Sequence, residues 1–204
     1  MRKKEFIALE KRLLPNFPGF TVSGRLTFIS PVGHTLRGFI FEPSGFDKKG
    51  LYLTTLFLPL CIPRKYLSME FGKSLKGTGW RWDDPDLESK LVAVMQNEVP
   101  FLRSLRTLHD VLEAVRSVKR TFKDPYKYEA IAYMLIRTGK ATEGIGALDE
   151  LLNLLDPAIQ WQSEMADRAR ALRSLLVRDP PDAQKQLEAW ETESVRNLGL
   201  EDFL

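Results

Sequence analysis

The sequence predicts an α+β fold: an N-terminal antiparallel β-meander with a leading helix, followed by an all-helical C-terminal half. Three observations carry this. Residues 24–58 hold short runs of alternating side chains broken by Pro and Gly turns. From Pro85 onward, apolar residues recur at helical spacing nearly to the end. The charge changes sign at the same place. Residues 1–80 hold 13 Lys/Arg against 5 Asp/Glu (+8), and residues 81–204 hold 17 against 22 (−5), together the chain's net +3. The expected division is therefore a sheet domain over 1–84 and a helical region over 85–204.

The 204 residues suit one large or two small domains. At 44% hydrophobic and 28% charged, the chain can bury a core and does not have a disordered composition. No run of about 18 apolar residues occurs, so no membrane span and no membrane partner are expected. The basic start Met1-Arg2-Lys3-Lys4 is followed by Glu5 and Glu10, not by the apolar core of a signal peptide. The single cysteine, Cys61, allows no internal disulfide. That fits a reducing compartment, and a cytoplasmic location is the expectation.

Taken in order, residues 2–14 form an amphipathic helix, with Phe6, Leu9, Leu13 and Ile7, Leu14 at helical spacings, ended by Pro15 and Pro18-Gly19. Phe17 and Phe20 pack at the turn. Gly24 to Ser30 is a strand with Leu26, Phe28 and Ser30 on one face and Arg25, Thr27 and Ile29 on the other. After the turn at Pro31-Val32-Gly33, the strand from His34 to Glu42 separates Leu36, Gly38, Ile40 from Arg37, Phe39, Phe41. Leu51 to Leu58 is the third strand, and the meander covers one face. Pro59 to Lys65 is a loop. Phe71 to Gly79 is irregular or a weak strand, and Gly79 to Trp82 can add a fourth. The helical part begins at Pro85. Pro100 should kink or split its first helix near Asn97–Val99, and helical spacing continues over Phe101 to Val118. Tyr126–Thr138 and Lys140–Leu155 follow, joined at Gly139 in a left-handed cap. A long helix begins at Pro157 and stops at Asp179-Pro180-Pro181-Asp182, and a last one runs from about Ala183 to Asn197. The tail frays or docks through Phe203.

The stretch Trp80-Arg81-Trp82-Asp83-Asp84-Pro85 joins the two parts. Asp84 before Pro85 is chemically a helix start, the carboxylate accepting from first-turn N–H groups. Asp86 and Glu88 add the negative charge that the dipole favours. The alternative, a hard-cation site on Asp83, Asp84, Asp86 and Glu88, lacks an EF-hand ligand pattern. Trp80 and Trp82 share a face of a strand. They either cover the core or, with Arg81, form a contact surface, because Trp and Arg are enriched at binding hot spots.

Catalytic signatures are absent from the sequence. There is no Gly-x-Ser-x-Gly elbow, phosphate-binding loop or dinucleotide fingerprint, and no cofactor is expected. His34 and His109 lie in different elements, and Cys61 between Leu60 and Ile62 reads as a small buried hydrophobe. Arg37 and Glu42 can form part of a polar pocket. Lys119, Arg120 and Lys123 cluster at a helix end, where cations complement the dipole. No helix-turn-helix, zinc finger or aromatic-basic strand signature accompanies them.

Two resemblances follow from particular residues. The hairpin at 126–157 resembles a tetratricopeptide repeat. Tyr128, Ile131, Ala132, Leu135 and Gly139 stand where the repeat sets its aromatic, apolar, small, apolar and turn residues, and Glu143 fits as well. It departs at Gly144 (Ala in the repeat), at Leu151 (a small residue) and at Pro157 (one residue late). One unit is too few for a solenoid, so the resemblance implies a local packing solution in which Ala132 and Gly144 let two helices approach. The leading helix at 5–14, the meander at 24–58, Phe71-Gly72 and Trp80-Arg81-Trp82 are together similar to small bacterial α+β domains. Some of those are suspected immunity or accessory proteins beside toxins or mobile elements. The sequence thus favours a cytosolic, non-enzymatic protein-binding module whose partner is another protein, with Trp80, Arg81, Trp82 and Arg37 as contact residues. A nucleic-acid-associated protein using the basic N-terminal half, or an enzyme with a carboxylate site around Asp83 and Asp84, are the alternatives.

Overall fold

The apolar stripe of the first helix explains why the chain folds back on itself at once. Phe6, Leu9 and Leu13 of α1 (Lys3–Leu13) recur every three to four residues and are all buried. The surface they need is a sheet. The computed structural model describes residues 3–75, 79–119 and 123–204, and shows an α+β protein with an N-terminal antiparallel sheet after a leading helix and a helical C-terminal half. The basic Met1-Arg2 start and Arg120 lie outside the described residues.

The sheet's strands are β1 (Phe20–Ser23), β2 (Leu26–Ile29), β3 (Thr35–Pro43), β4 (Gly50–Pro59), β5 (Gly72–Ser74) and β6 (Trp80–Arg81). The first five are neighbours in that order, and β6 also pairs with β4. β1 was expected only as a turn. It forms because Gly24-Arg25 closes a tight hairpin, setting Phe20 opposite Ile29 and Ser23 opposite Leu26. β2 and β3 pair from Leu26↔Ile40 to Phe28↔Gly38. A Cβ on Gly38 would lie 2.2 Å from the Thr27 carbonyl oxygen, so no other residue fits this approach. One edge of β4 is taken in turn by β5 at Thr54–Leu56 and by β6 at Gly50–Leu51.

The chain forms two compact units, and they do not divide at residue 84. One comprises residues 1–58, 71–105 and 203–204, the other residues 59–70 and 106–202. The reason lies in α2 (Leu87–Ser104), whose Leu87, Leu91, Met95 and Leu102 share one core with α1, Phe39, Phe41, Leu51, Leu53 and Trp80. That helix therefore belongs to the sheet. Both sheet faces are buried: Leu36, Leu56 and Leu58, which point away from this core, are fully covered too. The expectation of one covered face missed that β4 is apolar almost continuously, which is the signature of two-sided burial. On that second face Phe203 sets its ring edge-to-face on Phe28, 5.1 Å between centroids, and its carbonyl accepts from the Val32 N–H. The tail therefore docks.

Proline 100 does not split α2; the helix runs through it. The break falls at Leu105–Thr107 because Thr107 and Asp110 form a reciprocal capping box that starts α3 (Leu108–Ser117). The predicted helix over 101–118 is thus two pieces of different helices. Three further helix starts moved. Asp84 accepts from the Asp86 N–H just ahead of the helix, and α2 itself begins at Leu87, with Asp86 preceding it. The long helix expected from Pro157 begins at Gln160, and the last begins at Pro180, with Asp179 accepting from the Asp182 N–H.

The second unit holds α3, α4 (Pro125–Arg137), α5 (Ala141–Leu154), α6 (Gln160–Arg178) and α7 (Pro180–Asn197), with the irregular segment 59–70. α4 packs against α3, α5 and α7, so it is apolar nearly all round, with Ala130, Ala132, Tyr133, Met134, Leu135 and Ile136 buried. Gly139 adopts φ +78° and turns the chain into α5. A Cβ on Gly144 would lie 2.7 Å from Ile136 Cγ1, so α4 and α5 approach through a notch that this glycine leaves. Lys127 meets the carbonyls ending α3, its Nζ donating to Arg116 (2.8 Å) and Val118 (2.6 Å). Among the described residues, no helix is long and apolar enough to cross a membrane.

Candidate functional site

The sheet unit separates the residues that the sequence groups together. Trp80 and Trp82 do face the same way. Trp80 is 8% exposed and belongs to the core, while Trp82 is half-buried with its ring edge-to-face on Phe6 at 5.5 Å. Trp80 therefore offers a partner almost no surface. Arg81 points outward but is held by Asp47 (2.7 Å) and Asp83 (3.0 Å), and Lys49 also reaches Asp83 at 3.0 Å. The hydrogen bonds from Arg81 and Lys49 hold the Asp83 carboxyl well below its usual range. Asp84 accepts from Lys90 at 2.8 Å and from the Asp86 N–H, and Glu88 accepts from Arg12 at 2.7 Å. The acidic stretch is thus engaged by cations of its own chain. Trp82 lines a small hollow with Arg12 and residues 84–89, at the start of α2. Arg37 donates to the Leu105 carbonyl just past the other end of this 18-residue helix, roughly 27 Å away along its axis. There it complements the negative end of the helix dipole. Arg37 and Glu42, five residues apart on β3, point to opposite faces and form no common pocket.

The helical unit contains a site that the sequence does not announce. A cleft of about 610 Å³ is lined by Met69, Glu70, Lys123, Asp124, Pro125, Tyr126, Leu154, Trp161 and Gln162. Its wall is an aromatic pair. Tyr126, in the first turn of α4, stacks on Trp161, in the first turn of α6, with centroids 5.1 Å apart and planes 6° apart. The α4 start is fixed chemically: Asp124 Oδ1 accepts from the Tyr126 N–H at 3.1 Å, and Pro125 occupies the first helical position. Trp161 remains 41% exposed and Met69 43% exposed, high values for side chains of this size. Tyr66 and Ile159, on the same two segments, are exposed as well.

Beneath the wall the charges are locked. The Arg64 guanidinium, nearly fully buried, pairs with Glu70 at 2.8 Å and reaches Ser68. The Arg64 backbone is tied to α7: its N–H donates to Ser194 Oγ (3.1 Å), and its carbonyl accepts from Asn197 (2.9 Å). Ser194 in turn donates to the Ile62 carbonyl at 2.9 Å. The segment 59–70 therefore holds its shape without regular structure, because side chains satisfy its buried backbone. Glu129, 1% exposed, pairs with Arg168 at 2.9 Å. Burial pushes its carboxyl up, and the Arg168 charge opposes this. Burial also pushes the Tyr126 phenol up, and the Glu70, Glu129 and Asp124 carboxylates add to this against Arg168 alone. What results is a preformed aromatic hollow, of a size that takes small groups or side chains.

Cys61 is fully buried in this unit, and burial, then the Glu191 charge, pushes its thiol up to about 12. It is a packing residue, as its apolar neighbours in sequence indicate. Sequence reasoning could not find the cleft. Met69, Tyr126 and Trp161 come from three segments far apart in the chain, and no spacing rule links a loop to the first turns of two helices. The local signal was the Asp124-Pro125 helix start, which places Tyr126 but says nothing of what it faces. Comparison with protein-family models, with curated proteins and with solved structures finds no match.

Proposed function

We propose that this chain is a protein-binding module and that it holds a segment of its partner in the Tyr126–Trp161 cleft. The observation that carries this reading is the partly exposed, parallel-stacked aromatic pair beside paired, hydrogen-bonded charges. Aromatic anchors with rigid support are the residues that dominate binding energy, because they offer much apolar area at little cost in side-chain freedom. The Arg64–Glu70 and Glu129–Arg168 pairs add the rigidity, so little ordering remains to be done on binding. This site replaces Trp80 and Arg37 as the proposed contact. Arg81 and Trp82 stay on the surface of the sheet unit as a second, weaker candidate. The bacterial cytosolic setting and the immunity or accessory role belong to the same proposal, and rest on the resemblance of residues 5–82 alone.

Affinity capture from the host with the tagged chain, run beside Trp161→Ala and Arg81→Ala, tests the reading. A stoichiometric protein retained by the wild type and by Arg81→Ala, but lost with Trp161→Ala, is the expected result. Loss with Arg81→Ala alone moves the site to the sheet unit. Retained nucleic acid that leaves steeply with salt sinks the protein-binding reading in favour of the nucleic-acid alternative.

A further inference from the structure

We infer that α1 is a pH-gated clasp: loss of the Glu10 proton shifts the helix from its seat on the sheet toward a released position. The inference concerns the sheet unit and does not depend on the Tyr126–Trp161 cleft. Geometry carries it. Glu10 is 0% exposed. One carboxyl oxygen accepts from Thr27 Oγ1 of β2 at 3.2 Å, and the other is enclosed without a hydrogen-bond partner among the described residues. A carboxyl so placed is stable with its proton, because a carboxylate needs water or hydrogen bonds on both oxygens. Burial accordingly pushes the group up to about 8.

The surroundings offer the ionised form little. Arg25, at the turn before β2, opposes the shift, but more weakly than burial drives it. β1 and β2 carry no ionisable side chain. On β3, Arg37 is engaged at the Leu105 carbonyl, and Glu42 points to the opposite face. Tyr52 of β4 alternates with the core residues Leu51 and Leu53, and so points away as well. Arg81 of β6 is held by Asp47 and Asp83. On α2, Glu88 is taken by Arg12, Lys90 by Asp84, Glu98 by Lys73 and Arg103 by the Pro18 carbonyl. A close-packed core admits water poorly, so moving the helix is what solvates the charge. The helix is suited to this. Phe6, Leu9, Glu10, Arg12 and Leu13 hold it by side chains, and the chain leaves it through Leu14–Asn16 to a glycine turn at Gly19 (φ +82°). Release parts Phe6 from Trp82 and bares the apolar side chains between α1 and the sheet.

The test is hydrogen exchange of the full chain at pH 6 and pH 9, corrected for the pH dependence of free-amide exchange, with α2 as the reference helix of the same unit. The released form holds an ordinary carboxyl. Its weight therefore grows about tenfold per pH unit up to about pH 8, on the order of 100-fold over the interval. The α1 amides should lose protection by that order relative to the α2 amides. Glu10→Gln, neutral at both pH values, should remove the difference. The indole N–H resonance of Trp82, assigned by its loss in Trp82→Phe, should shift over the same interval in the wild type only, as Phe6 withdraws. Equal loss of protection in α1 and α2 of the wild type means that the whole unit opens, and overturns the clasp whether or not the variant folds. Unchanged α1 protection means that Glu10 ionises in its seat, and opening that persists in Glu10→Gln assigns it to another group; either result overturns the inference as well.

Discussion

Glu10 is a carboxylic acid placed where a carboxylate should not be. It follows Leu9 on the sheet-facing side of α1 and is 0% exposed. One oxygen accepts from Thr27 Oγ1 at 3.2 Å, and the other has no hydrogen-bond partner among the described residues. Burial pushes its carboxyl up to about 8, against the weaker opposing effects of the Thr27 hydroxyl and the Arg25 charge. The unfolded chain releases this proton near pH 4.5, whereas the folded one keeps it until about pH 8. Between those limits the native state binds the extra proton, so raising the pH favours unfolding. The stability is fully present below pH 4.5 and is lost as the pH rises to about 8. Each pH unit inside the window costs up to about 1.4 kcal/mol, and the whole window on the order of 3–5 kcal/mol. Glu10→Gln removes the titration and keeps the size and the acceptor for Thr27. Urea unfolding at pH 5, 6, 7 and 8, read from NMR signals of α1 and β2, measures the difference between wild type and variant. That difference should move in the variant's favour by more than 2 kcal/mol from pH 5 to pH 8, on the same scale. Parallel pH profiles for the two proteins would refute the reasoning, since they would mean that Glu10 ionises in place without penalty.

Three other outcomes follow from particular contacts. The two glycines of α5 should respond oppositely to alanine. Gly144→Ala forces a methyl against Ile136 and should destabilise by about 1–3 kcal/mol. Gly146→Ala meets nothing within 4 Å and should stabilise by about 0.5–1 kcal/mol, both read from thermal or urea unfolding. Trp80→Ala should cost about 3–5 kcal/mol through the cavity it leaves in the sheet core. Arg81→Ala, on the same short strand but exposed, should leave the melting midpoint within experimental scatter; an equal loss from both would mean that Trp80 is not in the core. Finally, Cys61 should resist a thiol reagent in the native protein at pH 8 and react fully in denaturant, because its thiol is buried and raised. Rapid native labelling would contradict its placement.

The sequence by itself determined the α+β class, the order of the main elements and the left-handed turn at Gly139. These depend on periods of two and 3.6 and on local chemistry: Gly139 adopts positive φ between α4 and α5. Local rules failed where two local signals competed. Pro100 reads as a break, but the Thr107–Asp110 capping box seven residues on is a better place to begin again, and the packing of Leu91, Met95 and Leu102 carries α2 through the proline. What only the tertiary structure decided is which surfaces meet. It assigned α2 to the sheet and residues 59–70 to the helices, turned Trp80 inward, moved Arg37 far from Trp82, and set Tyr126 on Trp161 beside Met69. The physical reason is that burial and stacking act between segments distant in the chain. Their energy depends on three-dimensional fit, and the spacing of residues along the sequence does not encode it.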